Sequence, residues 1–409
     1  MKKFLTSKPF RDQFPLFFTQ TLPEMVRQAL KLVEFKTIKI PILQQNLTGS
    51  VTLTRQTVAC LLIHAFFCTF EHREEGSKLP VFNFITLFNA LEEGYESAKF
   101  MCIINYFTRI TQDPPKGNIT VLRQYTHQND IPKFHLSRKD IIDVEILLEG
   151  AIEDSSDNLQ VDFANTFIGG GILCGGCVQE EIRFAISPEL IISCLLCEEM
   201  NSYEAIYIVG AERFSDYLGY GSTLQFDKSC VDKTDYFDFY HDRKNLGSHL
   251  NTQIIAIDAI DYRTAGIESQ YSLEYLRRDI RKAYIGFQFF TKDDTPDALD
   301  ITEVHMPYMC TVDEKPIATG HWGCGAFGGN KAVKAMIQII AASEARKNLV
   351  FYSFGDKVFT EKLRKCVRIL KERKLKVSEL YQMIIEFKDW KKNSKNVDLF
   401  DYLLSRSQT

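Results

Sequence analysis

Apolar residues recur along this chain with two periods. Near its start, Met25, Val26, Ala29, Leu30 and Val33 follow Pro23 at the 3.6-residue spacing of one helical face. Pro23 suits a first helical turn, where no N–H is needed. Thr54 is placed to cap a second helix over 58–68, which is apolar nearly all round and so predicted to be buried. Residues 100–108 predict a third. Asp113-Pro114-Pro115-Lys116-Gly117 breaks the helical pattern. Beyond it, short apolar runs predict strands at 119–122, 144–148, 159–163, 205–209, 254–257, 317–319 and 350–353. Helical spacing predicts helices at 188–199 (capped by Ser187), 273–284, 331–342 and 357–372. Strands interleaved with helices mean an α/β sandwich. A last helix at 379–387, capped by Ser378, offers Leu380, Met383, Ile384 and Phe387 as a packing face. A short basic run at 390–395 reads as a solvated tail. The expected organisation is a helical region over 1–112, an α/β domain over 113–376 and a helical tail over 377–409.

One stretch organises the rest. Leu159, Val161 and Phe163 alternate with Gln160 and Asp162 up to Asn165. Then come Gly169, Gly170, Gly171, Gly175 and Gly176, too many glycines for a helix or strand. They suit a loop whose N–H groups approach an anion. Gln179, Glu180 and Glu181 follow. Repulsion between adjacent carboxylates is expected to raise the pKa of one of them. A carboxylic acid protonated near neutral pH is what glycosidic cleavage requires. From spacing alone, the same residues serve equally as a flexible loop before a solvated helix start.

Three further stretches carry candidate chemistry. Residues 319–330 join a strand, a glycine-rich turn and a helix start, an anion site by construction. No Gly-x-Gly-x-x-Gly follows a first strand, so a dinucleotide site fits less well. Residues 214–221 alternate aromatics with small residues outside a strand. They are free to line a pocket or to be ordinary tyrosines. Phe354 stands at a strand end and could be core.

Cys174-x-x-Cys177 and Cys194-x-x-Cys197 have the spacing of a zinc site. However, the second pair lies in an apolar run, and zinc on the first would draw the glycine loop away from an anion. The expectation is therefore free thiols and no metal. Eleven scattered cysteines suit a reducing compartment. A net charge of −4 gives no basic field for direct DNA binding. Residues 1–11 start basic but lack the apolar core of a secretory signal. The longest apolar run, 58–70, is too short to span a bilayer. A soluble protein of the nucleus, the cytoplasm or both is expected.

Gly-Gly-Gly, a spacer and Gln-Glu-Glu, with Val161-Asp162-Phe163-Ala164-Asn165 before and Ile182-Arg183-Phe184 after, resembles the signature of the poly(ADP-ribose) glycohydrolases of eukaryotic type. Trp322-Gly323-Cys324-Gly325-Ala326-Phe327-Gly328-Gly329 extends the resemblance, and residues 19–26 and 65–70 are similar to the family's accessory region. His321 and Asn330 depart from it, where the family pattern has Asn and Asp. The resemblance implies a macrodomain, a mixed sheet between helices, behind an N-terminal helical accessory region. It implies hydrolysis of the ribose–ribose O-glycosidic bonds of poly(ADP-ribose) on modified proteins, with no cofactor. Glu181 would be general acid and then base, Glu180 would orient the leaving ribose, and Asn165 would fix that geometry. Gly169, Gly170 and Gly171 would grip the diphosphate together with Gly325, Ala326 and Phe327. Gln179 would contact substrate and Tyr220 would close over it. Ile152 and Glu153 would edge the adenine pocket, and Phe354 would stack on the base. A non-catalytic ADP-ribose reader is the alternative. It would keep the glycines, and the adjacent glutamates separate the two.

Overall fold

Two hydrophobic cores lie on opposite faces of one sheet, and the strand Glu204–Val209 belongs to both. Ala205, Tyr207 and Val209 face one core, while Ile206 and Ile208 face the other. A strand covered on both faces reads as an unbroken apolar run. The computed structural model describes residues 14–34, 39–91, 94–237, 248–288, 315–393 and 398–406. The readings made on 1–11 and on 394–395 lie outside the described residues.

The strands are β1 (Gly49–Thr54), β2 (Asn118–Tyr125), β3 (Val144–Leu147), β4 (Leu159–Asp162), β5 (Glu204–Val209), β6 (Ser215–Leu218), β7 (Gln225–Ser229), β8 (Tyr236–Phe237), β9 (His249–Leu250), β10 (Gln253–Ala256), β11 (Ile317–Thr319) and β12 (Leu349–Tyr352). Among the described residues, the mixed sheet runs β3-β12-β11-β4-β10-β5-β2-β9-β8, with β1 antiparallel beside β2. Its β3, β12, β11, β4 and β10 are mutually parallel. All seven predicted strands are present, six of them within one residue of their expected limits, while β2 runs three residues beyond the expected end at residue 122.

Helices α1 (Leu22–Leu30), α2 (Arg55–Phe66), α3 (Tyr95–Gln112) and α4 (Gln179–Ile186) lie on one side of the sheet. Helices α5 (Leu273–Phe287), α6 (Lys331–Ala345), α7 (Lys357–Glu372) and α8 (Val377–Asn393) cover the other. The expected α/β class, with helices on both faces and a helical N-terminal region, is what the chain adopts. Thr54 caps α2, its side chain accepting from the Thr57 N–H at 3.1 Å. Ser187 and Ser378 do not cap. The Ser187 hydroxyl accepts from Arg183, and the segment after it opens as the 3-10 turn Pro188–Ile191. Ser378 lies inside α8. Residues 215–218, expected outside a strand, form β6 in a hairpin with β7. No described helix is long and apolar enough to cross a membrane.

The strand β1 was not foreseen. It precedes the Asp113 breaker, yet it pairs residue for residue with β2 across Gly49–Arg123 to Thr54–Asn118. The sheet therefore takes a strand from the helical region.

Candidate active site

The C-terminal ends of β3, β4, β11 and β12 open into one cavity of about 730 Å³. Ligands of open α/β sheets collect at such strand ends. Past β3 come Ile152 and Glu153. Past β4 come Phe163 and Asn165, past β11 come His321 and Gly325 to Phe327, and past β12 comes Phe354. Gln179, Glu180 and Glu181 enter from the start of α4, and Tyr220 from the turn after β6. Eleven of the fourteen expected site residues thus line a single cavity.

The other three do not. Gly169, Gly170 and Gly171 lie behind the wall, and their N–H groups are spent. Gly169 N–H donates to Glu180 Oε1 at 2.7 Å, Gly171 N–H to Glu181 Oε1 at 2.8 Å and Gly170 N–H to the Phe167 carbonyl at 3.1 Å. These glycines hold the glutamates, which corrects the expectation that they grip a diphosphate. Each carboxylate takes a second N–H. Asn165 N–H donates to Glu180 Oε2 and Val178 N–H to Glu181 Oε2, both at 2.8 Å. Glu181 is the third residue of α4 and reaches back over its start, the geometry of a capping glutamate. Asn165 orients Glu180 through its backbone. Its side-chain oxygen is engaged locally by the Phe167 N–H at 3.0 Å.

The second glycine-rich turn is different. Among the described residues, no hydrogen-bond acceptor meets the N–H of Gly325, Ala326 or Phe327. Gly328 and Gly329 close the turn onto the Gly325 and Gly323 carbonyls, and the Asn330 side chain caps α6 by accepting from Val333 N–H. Three consecutive amides without an acceptor, ahead of a long helix, are free to meet an anion.

Electrostatically the glutamate pair is not isolated. Glu180 is 2% and Glu181 6% exposed, and Asp162 is buried behind them with no hydrogen bond to either carboxylate oxygen. Burial first, then the charges of Asp162 and Glu181, holds the Glu180 carboxyl well above the usual range, against the N–H groups of Asn165 and Gly169. Burial, and then Glu181, pushes Asp162 up to about 8, with Arg183 opposing. The upward shift expected from repulsion is therefore present at Glu180, but burial is its larger cause. Gln179 ties the pair to the sheet, its Oε1 accepting from the Phe163 N–H at 2.8 Å.

At the far end Phe354 is 46% exposed at φ +50°, a left-handed conformation uncommon outside glycine. Its ring lies against Gly320, where a Cβ would meet it at 2.7 Å. Tyr220, 56% exposed, stands at the rim. Glu153 accepts a hydrogen bond from the Tyr217 hydroxyl.

Sequence reasoning passed over Asp162, Tyr217, Lys331 and His321 as site residues. The last three line the cavity. His321 is pushed down to about 4 by burial and by the nearby Lys331 ammonium. Asp162 looked like the polar face of a half-exposed strand, whereas every residue of β4 is buried. Cys174, Cys177, Cys194 and Cys197 are free thiols, and no group of three or more His, Cys, Asp or Glu is arranged to hold a metal among the described residues.

Comparison with known proteins gives two matching family models. One, described as poly(ADP-ribose) glycohydrolase, macro domain fold, matches residues 131–361. The other, described as the helical domain of poly(ADP-ribose) glycohydrolase, matches residues 11–123. The chain is 34% identical over 403 aligned residues to poly(ADP-ribose) glycohydrolase 1 of Arabidopsis thaliana, covering 85% of this chain and 71% of that one. It is 30% identical over 455 residues to probable poly(ADP-ribose) glycohydrolase 2 of the same plant, covering 99% and 85%. With poly(ADP-ribose) glycohydrolase 1 of Caenorhabditis elegans it shares 33% over 346 residues, covering 82% and 40%.

Proposed function

This chain belongs to the poly(ADP-ribose) glycohydrolase family, and we propose that it hydrolyses the ribose–ribose O-glycosidic bonds of poly(ADP-ribose), releasing ADP-ribose, with Glu181 as general acid and then base. The observation that carries the reading is the pair of carboxylates, each fixed by two backbone N–H groups, at the wall of a cavity that also holds a free amide nest.

The chemistry follows from that arrangement. Adenine lies against Phe354, between Ile152 and the Glu153 carboxylate. The diphosphate takes the N–H groups of Gly325, Ala326 and Phe327. The anomeric carbon then comes beside Glu181, with Tyr220 covering it and Gln179 at its side. Glu181 gives its proton to the departing 2′ oxygen of the neighbouring ribose as the C–O bond breaks. The oxocarbenium-like carbon is stabilised by the diphosphate charge. Water then adds to the carbon, and Glu181 takes its proton and is restored. Glu180 hydrogen-bonds the ribose hydroxyls, and Asn165 holds Glu180. Two neighbouring residues on one helix turn cannot flank a bond, so a single carboxylate serves both steps. The raised proton affinity of Glu180 favours a second assignment, with Glu180 as the donor.

The test is release of ADP-ribose from poly(ADP-ribose), with ADP-ribose binding measured in parallel. Glu181→Gln should lose about 10²–10⁴-fold in turnover and keep binding. Glu180→Gln should lose less turnover and bind the ribose more weakly. The reverse ranking would exchange the two roles. Wild-type binding without turnover would make the protein a reader, and neither would refute the reading.

A further inference from the structure

Helix α3 carries a single ammonium group into the interior beneath the glycine loop. Lys99 is wholly buried, and among the described residues no carboxylate lies within ion-pair distance of it. Its Nζ donates instead to three backbone carbonyls, those of Gly171 at 2.9 Å, Cys174 at 2.8 Å and Gly176 at 2.8 Å. An ammonium has three donors, and all three are used on one loop.

That loop is the one that fixes Glu181. Gly171 offers its carbonyl to Lys99 and its N–H to Glu181 Oε1. Gly176 offers its carbonyl to Lys99, while a Cβ on it would sit 3.0 Å from Glu181 Oε1. Val178, two residues on, holds Oε2. The loop is thus a strap stretched between a cation at its back and a carboxylate at its front. The residues that meet Lys99 are the same as, or within two positions of, those that meet Glu181, so a shift of the loop on one side is passed to the other. Burial works against the charge on Lys99, and Glu181, Cys177, Cys174 and Glu96 favour it, with the Tyr95 ring 5.5 Å from Nζ. A cation placed there at a solvation cost, and spent wholly on backbone oxygens, acts on the shape of the loop.

We propose that Lys99 is a positioning residue for the hydrolysis: its ammonium, delivered by the helical region, holds residues 171–178 in the conformation that aims the Glu181 carboxylate into the cavity. The proposal rests on the reading of Glu181 as the proton donor.

Lys99→Met keeps the buried stem and removes the three donors. Its kcat for ADP-ribose release should fall about 100-fold, the scale of a displaced catalytic group. KM and the Kd for ADP-ribose should stay at wild-type values, because Ile152, Phe354 and the 325–327 amides come from other strand ends. Amide hydrogen exchange should quicken in the peptide spanning 166–178 and nowhere in the sheet. A folded variant with wild-type kcat would overturn the proposal. So would loss of kcat accompanied by weaker ADP-ribose binding and faster exchange throughout, the mark of a merely structural role. If Lys99→Met does not fold, Lys99→Arg carries the test. It keeps the charge, but its planar fork cannot meet three converging carbonyls, and the same loss of kcat at unchanged KM is expected. The wild type runs in the same assay. Absent wild-type turnover would remove the proposed reaction itself, whereas equal turnover by wild type and variant would remove only the role of Lys99.

Discussion

A Cβ built on Gly170 would lie 2.5 Å from Oε1 of Glu181, and 2.6 Å from Oε2 of Glu180 on its other side. Both carboxylates occupy the place where any other residue would put its side chain, and the φ of +49° adds to the demand for glycine. Gly170→Ala should therefore displace both acids at once. The expected loss is about 100-fold or more in kcat, with ADP-ribose still bound through the nest and Phe354. Turnover and isothermal titration on the same preparation check it. Wild-type kcat would mean that the carboxylates can move aside without consequence.

Asp162 makes stability depend on pH. Its carboxyl in the folded protein is pushed up to about 8, above the roughly 3.9 of an unfolded aspartate. The native state keeps a proton that the unfolded chain gives up. This contribution is fully present below about pH 4 and is lost as pH rises through about 8. Asp162→Asn removes it, so the variant's Tm should fall less than the wild type's between about pH 5 and pH 8. Glu180 shares the proton load, so the slope shrinks without vanishing. Parallel melting curves for the two proteins would place the proton elsewhere.

On the proposed reading, Phe354 opposes stability to function. Stacking on a base is worth about 1–3 kcal/mol, while a bulky residue at φ +50° costs on the order of 1–3 kcal/mol. Phe354→Gly should weaken ADP-ribose binding by about the stacking energy and melt no lower than the wild type. A large drop in Tm with binding intact would make Phe354 a core residue.

Arg55 joins the helical region to the sheet domain. Buried on α2, it donates to Glu189 at 2.8 Å, to Glu212 and to the Lys116 carbonyl. Arg55→Met would leave the buried Glu189 without its cation, while Glu212 keeps Arg109, at a cost of about 3–5 kcal/mol. Denaturant unfolding measures it. The folded fraction should retain wild-type KM, since none of these groups lines the cavity.

The sequence made some of this legible and hid the rest for identifiable reasons. Residues 205–209 announced a strand because both faces of β5 are apolar. Gly49-Ser50-Val51-Thr52-Leu53-Thr54 did not announce β1, because its small and hydroxylated residues are buried only by pairing with β2. The glycine loop was legible as a place where backbone approaches something closely. Which partner it approaches is a tertiary fact, and the partner turned out to be a carboxylate ten residues on. Lys99 and Asp162 were missed for one reason: a charge in a strand or helix reads as solvent-facing. Lys99 did leave a trace, as a lone cation in the otherwise apolar part of α3.

The pairing of β1 with β2 also decides where the protein can be cut. A fragment beginning at residue 113 would expose the N–H and C=O groups of β2 along the edge that residues 49–54 now cover. Such an open edge recruits other strands, and the fragment would associate with itself. Insolubility of a bare macrodomain would then report an uncapped sheet.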